Sequence, residues 1–317
     1  MAGLNLRDQR LEEAARAGWL YYIAHNTQDE IATKLGVSRQ AAQRLVALAV
    51  SEGLIKFRLD HLIGSCMEIA ERLTERFGLE LCEIVPTDPA APDNIAGVAC
   101  CAAERLERLL GQRAPLVICV GTGRTMRAAV EELQSMERPQ HKVISLVGSL
   151  SRQGGASPYD VVMRLGDRIG GQRYPMPAPA VAETLADREF LQGQAAYRAL
   201  RQLRLEARAC YVGVSEVDWN GPLHRDGFVT DAELSELVDK GAVGEITGWS
   251  FDATGRVLEG GVNDRVTSLE LEQPPRRPTV AVGAGRRKVR PFRAALEGRL
   301  ISGIVTDEAT AAGILAA

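Results

Sequence analysis

From residue 116 onward the chain repeats one theme: a short apolar run, a glycine-containing loop, then a helical stretch. It reads LVICV–GTGRT–MRAAVEEL at 116–133, KVISLVGSLSRQGG at 142–155, ACYVGVSEVD at 209–218 and TVAVGAGRRKVRPFRAALEG at 279–298. A last run, ISGIV at 301–305, passes through Thr306 into DEATAAGIL. Alternating strands and helices predict an α/β domain: a doubly wound, mainly parallel, Rossmann-like sheet with helices on both faces. Ligands of such sheets gather at the carboxyl ends of the strands, where these glycine loops fall.

The loop Gly121-Thr122-Gly123-Arg124-Thr125 has the chemistry of an anion cradle. Glycines let backbone N–H groups approach closely, threonines donate hydroxyls, and the following helix presents its positive end. Arg124 adds a fork suited to phosphate. Met126 stands where a dinucleotide fingerprint needs its third glycine, and a Lys-Ser/Thr ending of the Walker type is missing. A second loop, Gly283-Ala284-Gly285 followed by Arg286, Arg287 and Lys288, adds another helix N-terminus and more positive charge. Two such loops in one sheet point to a phosphorylated ligand.

Smaller signals accompany them. The second run ends in Gly148 and Ser149, His224-Arg225 is expected in a loop, and Glu245 precedes a strand-like stretch in GAVGEITGWSFD. An acid there suits sugar hydroxyls, or a neighbouring base. RYPMPAPA at 173–180 is proline-rich and is expected to be an extended cover or linker over the pocket, and EQPPRRP at 272–278 a connecting loop.

The first sixty residues differ in kind. Arg7 to His25 has helical patterning, with Leu11, Ala14, Ala15, Leu20, Tyr22 and Ile23 available for one buried side. Thr27 caps a short helix, TQDEIATKLG, whose Asp29 and Glu30 lie in the first turn, where the dipole favours acids. Gly36 ends it, Val37 can plug the core, and Ser38 caps SRQAAQRLVALAVSEG. This is a helix-turn-helix pattern. At about 100° per residue, Arg39, Gln40, Gln43, Arg44 and Ala47 share one arc of the second helix; Ala41, Ala42, Leu45, Val46, Leu48 and Ala49 fill the other. Arg and Gln can make paired hydrogen bonds to guanine and adenine edges in a major groove. The segment LIKFRL at 54–59 alternates like a strand, and Lys56 and Arg58 would make it a phosphate-contacting wing. Thr27, Gln28, Ser38, Arg39, Gln40, Gln43, Arg44, Lys56 and Arg58 are therefore the candidate DNA contacts.

The 317 residues suffice for a DNA-reading domain at 1–60 and an effector-binding and oligomerisation domain at 61–317. Net charge is −3, which argues against a protein coated for nucleic acid, yet residues 33–58 carry five bases (Lys34, Arg39, Arg44, Lys56, Arg58) against Glu52, a local +4. That suits salt-sensitive docking to double-stranded DNA. No apolar run reaches the roughly 18 residues of a membrane span, and the N-terminus lacks the apolar core of a secretory signal, so the cytoplasm is expected. The six cysteines show no CxxC pair and no accompanying His cluster; packing is expected of them, with no metal and no cofactor.

In order and spacing, TQDEIATKLGVSRQAAQRLV, VGTGRT, SLVGS, YPMPAPA, GAVGEITGWSFD, VAVGAGRRK and ISGIVTDEATA resemble the SorC family of bacterial sugar-binding transcriptional regulators. The resemblance spans almost the whole chain. It implies a regulator of a carbohydrate or polyol catabolic operon, its operator binding modulated by a sugar, sugar phosphate or alditol. It also implies assembly as a homodimer or homotetramer through the second domain. Carried over by motif, Gly121, Thr122, Gly123, Arg124 and Thr125 would hold phosphate. Arg225, Glu245 and Lys288 fall where family members contact the effector, and Gly148, Ser149 and Gly283 belong to the same expected site. The second loop is richer in arginine than the family's usual version, and SLVGS offers serine where some relatives carry a larger polar or basic contact. The family's effector domain is similar to sugar-phosphate isomerases and glucosamine-phosphate deaminases. An enzyme with an accessory DNA-binding domain is thus the alternative, with Lys288 as a Schiff-base amine and His224 with Glu245 as its acid–base pair.

Overall fold

A computed structural model describes residues 6–57, 63–150 and 160–316, with the side chains of Leu6, Arg7, Ser149 and Leu150 outside the description. The chain divides into two units, Met1–His61 and Leu62–Ala317.

The first unit holds α1 (Leu6–Tyr22), α2 (Gln28–Leu35) and α3 (Arg39–Ser51). Thr27 and Glu30 close a reciprocal capping box on α2, Gly36 ends it in the left-handed region, and the Ser38 hydroxyl accepts from the Ala41 N–H to start α3. The core is Ala14, Ala17, Ile31, Ala42, Leu45, Val46 and Ala49. Four alanines among seven residues let the helices approach closely. Ile23, expected on the buried side, lies beyond the end of α1 and is exposed.

The expected wing strand does not form over Leu54–Phe57. The Leu54 and Ile55 N–H groups both donate to the Ala49 carbonyl, at 2.8 and 3.2 Å, so the backbone folds back on α3 and Ile55 packs on the helical core. Arg58 and Leu59, the rest of that segment, lie outside the described residues.

In the second unit α4 (Gly64–Phe77) leads to β1 (Leu81–Val85), α5 (Ala96–Leu110), β2 (Val117–Val120), α6 (Arg124–Glu132) and β3 (Lys142–Leu150). Next come α7 (Val161–Ile169), β4 (Gln172–Pro179), α8 (Leu185–Gln192), α9 (Ala195–Leu205) and β5 (Ala207–Val212). A smaller layer follows: β6 (Ser215–Glu216), α10 (Pro222–Arg225), α11 (Asp231–Asp239), β7 (Ala242–Ile246) and β8 (Trp249–Asp252). The chain closes with β9 (Thr279–Val282), α12 (Val289–Glu297), β10 (Gly303–Asp307) and α13 (Glu308–Ala316).

Among the described residues, seven strands form one parallel sheet in the order β1-β10-β9-β5-β2-β3-β4. Successive side chains point to opposite faces, and the core divides accordingly. Cys119, Cys210, Val212, Ala281 and Ile304 pack under α4, α9, α12 and α13. Ile118, Val120, Tyr211, Val280, Val282 and Val305 pack under α5, α6 and α7. With both faces covered the strands are continuously apolar, the pattern of a buried parallel sheet. After β2 the chain builds outward through β3 and β4, then crosses back to β5 on the other side. This reversal between β2 and β5 is a switch point, at which a crevice opens beyond the carboxyl ends of the strands.

RYPMPAPA, expected as a cover or linker, is the edge strand β4 of this sheet. Met176 and Ala178 are buried while Pro175 and Pro177 are exposed. A residue without an N–H is tolerated where one strand edge has no partner, so the proline alternation fits an edge position. His224-Arg225 ends the short helix α10 instead of lying in a loop, and Glu245 lies within β7. Among the described residues no helix is long and apolar enough to cross a membrane.

Candidate functional site

The loops after β2 and β9 are built alike. The first glycine of each extends the sheet: the Gly121 N–H donates to the Tyr211 carbonyl at 2.8 Å, and the Gly283 N–H to the Val305 carbonyl at 3.1 Å. The second turns the chain into a helix. Gly123 has φ 130° and ψ 159°, and Gly285 has φ 114° and ψ 153°. This region is essentially closed to residues with a Cβ. Gly123 starts α6 with no side-chain cap, so first-turn N–H groups face the crevice without an internal acceptor.

Both loops border one cavity of about 380 Å³. Thr122, Gly123, Arg124 and Thr125 line one side of it, and Ala284, Gly285, Arg287 and Lys288 line another. Gly148 of β3 and Glu245 of β7 close the interior, and Arg225 stands on the α10 wall. Of the residues expected from sequence, Gly121 and Gly283 do not line the cavity; their backbones are spent on strand pairing beneath it. The Ser149 side chain lies outside the described residues.

The two sides differ electrostatically. Arg124 is exposed and makes no ion pair among the described residues. On the other side, the Lys288 ammonium lies 3.3 Å from Glu216. The Arg287 guanidinium lies 3.3 Å from Glu216 and 2.7 Å from Asp218, and its bond to Asp218 holds its pKa above the usual arginine value. Arg225 pairs with Asp226 at 3.1 Å. Burial pushes the Glu245 carboxyl above the usual carboxylate range, against the opposing pull of the Gly248 N–H at 2.8 Å, the Ser215 hydroxyl and nearby Lys288. Among the described lining residues, Arg124 is the cation without an ion pair, beside the start of α6, while Lys288, Arg287 and Arg225 are each held by a carboxylate.

Sequence reasoning missed Asp93, Glu216, Asn220, Asp226 and Thr247, all of which line the cavity. Asp93 follows prolines in a loop, and the others come from the small layer, whose position over the sheet leaves no local sequence mark. Thr247 and Gly248 do carry a signal: both have positive φ in the turn between β7 and β8, the backbone of a tight hairpin. His224 is not paired with Glu245. Its ring nitrogens contact the Trp219 carbonyl and Asp231, so the acid–base pair considered from sequence is not assembled.

In the first unit, Arg39, Gln40, Gln43, Arg44 and Ala47 are all exposed along α3, while Ala42, Leu45, Val46 and Ala49 are buried. Arg39 pairs with Asp29 at 3.3 Å. The hydroxyls of Thr27 and Ser38 serve as helix caps, and Gln28 begins α2. Lys56 is exposed.

A doubly wound sheet with two glycine loops bordering one crevice, in a chain whose first unit is three helices with an exposed Arg/Gln face, fits the class of ligand-binding regulators. The comparisons agree. Residues 61–316 match the family described as "Putative sugar-binding domain". The chain is 32% identical over 302 residues to the erythritol catabolism regulatory protein EryD of Brucella abortus (strain 2308), covering 95% of this chain and 96% of that protein. It is 30% identical over 323 residues to the transcriptional regulator LsrR of Enterobacter sp. (strain 638), covering 99% and 95%. The fold superposes on the full-length sorbitol operon regulator SorC of Klebsiella pneumoniae with TM-score 0.71 and 21% identity, over 98% of this chain and 100% of that one. The chain belongs to the SorC family of sugar-binding transcriptional regulators.

Proposed function

We propose that the protein binds double-stranded operator DNA through α3 and its flanks, and that a small hydroxylated effector in the cavity changes that affinity. The observation that supports this most is the convergence of the loops after β2 and β9 on one cavity. The effector is a polyol, a sugar or a phosphate ester of one. A phosphate would sit on the Thr122–Thr125 turn at the start of α6, beside Arg124, while hydroxyls would meet Glu245, Glu216 and Lys288. The relative named for erythritol catabolism makes a short alditol the first candidate.

The effector shifts DNA occupancy by as much as its affinity differs between DNA-competent and incompetent arrangements. In a homodimer or homotetramer those arrangements are relative placements of subunits, and paired α3 helices would read paired half-sites of an operator in the cytoplasm. Arg44, Gln43 and Gln40 are assigned to base edges, Lys56 and Arg58 to phosphate. Arg39→Ala would first release Asp29, so its effect on DNA binding should be smaller than that of Arg44→Ala.

The test is a thermal-shift screen of the full chain with erythritol, its phosphate and a panel of aldose and ketose phosphates. A gel-shift titration at fixed salt on the DNA upstream of its own gene follows. A ligand at about 100 times its Kd adds about 2.7 kcal/mol. The reading fails if no member of the panel raises Tm, or if a stabilising ligand leaves DNA affinity unchanged. Gln43→Ala should weaken operator binding by about 1–3 kcal/mol while leaving the thermal response to ligand intact. Catalytic turnover of a panel sugar phosphate, followed by NMR, would instead favour the enzyme reading.

A further inference from the structure

His224 lies outside the cavity wall, yet it joins the two ends of a segment that forms part of that wall. Residues 218–231 run through α10 and contribute Asn220, Leu223, Arg225 and Phe228 to the cavity. Near the start of this segment the Trp219 carbonyl oxygen lies 3.1 Å from His224 Nδ1. At its end Asp231 Oδ1 lies 2.8 Å from Nε2. A carbonyl and a carboxylate are both acceptors. Neutral imidazole has one N–H, so it can satisfy only one of them and turns a lone pair toward the other. Imidazolium donates to both.

We propose that His224 is a positioning residue for the effector cavity: as imidazolium it staples residue 219 to residue 231 and fixes the α10 wall, and loss of one proton opens the staple. The proposal reaches beyond ligand class to a proton-linked control of the wall. Its surroundings support it. Asp231, in the first turn of α11, is the charged group bearing on the ring. On α10 itself, Arg225 and Asp226 are engaged with each other. The neighbouring acid of α11, Glu233, is held by Arg265 at 2.5 Å. The Trp219 ring meets the imidazole edge-on, with centroids 5.2 Å apart and planes at 82°.

The bond to Asp231, followed by that to the Trp219 carbonyl, raises the imidazole pKa above its ordinary 6.5. A raised folded-state pKa means that the staple is complete below 6.5 and is lost as pH rises through the raised value. Effector affinity should therefore fall as solutions are made alkaline, a consequence that rests on the cavity being the effector site.

The staple itself is tested without effector. Imidazolium in contact with an indole quenches its emission, so Trp219 reports on His224. Tryptophan emission of the full chain is followed against pH for the wild type, His224→Gln and Trp219→Phe. The wild type should brighten with a midpoint above 6.5, and this transition should be missing from both variants. In parallel, tryptic cleavage after Arg225 is timed below and above that midpoint. Losing one charge-assisted bond should speed wild-type cleavage about tenfold relative to His224→Gln at the same pH, because the variant is already open. A pH-independent wild-type emission, the same transition in His224→Gln, or equal cleavage ratios at both pH values would overturn the proposal. If the emission transition appears but no ligand binds in the cavity, the staple stands and the effector assignment falls.

Discussion

At Gly123 the backbone takes φ 130° and ψ 159° to enter α6; at Gly285 it takes φ 114° and ψ 153° to enter the turn before α12. The two loops share this geometry and border the same cavity, and in each the first cation after the glycine, Arg124 or Arg286, is exposed with no ion pair among the described residues; they differ in the cations that line the cavity. Arg124 stands open to solvent, whereas Arg287 and Lys288 are engaged by Glu216 and Asp218. A glycine cradle by itself therefore does not say which ligand group it holds. The neighbouring carboxylates differ: Arg124 has no ion pair among the described residues, whereas Glu216 and Asp218 hold Arg287 and Lys288, and on the proposed reading the first loop meets negative charge and the second meets hydroxyls.

The largest effect expected is on the paired side. Lys288→Met breaks an enclosed ion pair: Glu216 keeps only the half-exposed Arg287, at 3.3 Å, and Glu245 loses the opposing pull of the ammonium. It should lower unfolding free energy by about 3 kcal/mol near neutrality. Glu245 is already pushed toward its neutral form by burial, so the deficit should shrink as pH falls and the carboxyl takes up a proton. Urea unfolding at neutral and mildly acidic pH checks both statements. A deficit that grew on acidification would break the account of this side.

Next in size are the glycines themselves. Gly123→Ala and Gly285→Ala should each cost about 1–3 kcal/mol, since the added Cβ forces a disfavoured backbone. Nothing within 4 Å would meet a Cβ at Gly123, and only Asp93, at 3.4 Å, would meet one at Gly285. The two costs should therefore agree within about 1 kcal/mol. A large inequality in Tm would show that the loops are not equivalent in backbone strain. The smallest stability change belongs to Arg124→Ala, an exposed site with no ion pair among the described residues, expected within about 0.5 kcal/mol of wild type.

Much of this architecture could be read from sequence where the signal is local. The arcs of α3 follow from helical spacing, and residue by residue the polar arc is exposed and most of the apolar arc buried. The runs ending at Val120, Val282 and Val305 are strands because apolar alternation there serves two covered faces. Prolines disguised β4: at 175 and 177 they suggested a linker, and only the register with β3 reveals an edge strand. Over Leu54–Phe57 the expected strand does not form, because Ile55 satisfies both alternation and burial by packing on α1–α3. In the site, the residues following glycine were legible, while Glu216, Asn220 and Asp226 were not. Their place depends on β6 and α10 folding over the sheet, a long-range event without periodicity.

The most direct test of the central claim, that Arg124 meets a ligand's negative charge while Lys288 and Arg287 are held by carboxylates, is calorimetric titration. Wild type and Arg124→Ala are each titrated with a short polyol and with the same polyol's phosphate ester. The account predicts that Arg124→Ala loses about tenfold or more of its affinity for the ester, as expected for one charge-assisted contact, while its affinity for the free polyol stays within a factor of about two. Equal losses for both ligands, or no loss for the ester, would contradict it.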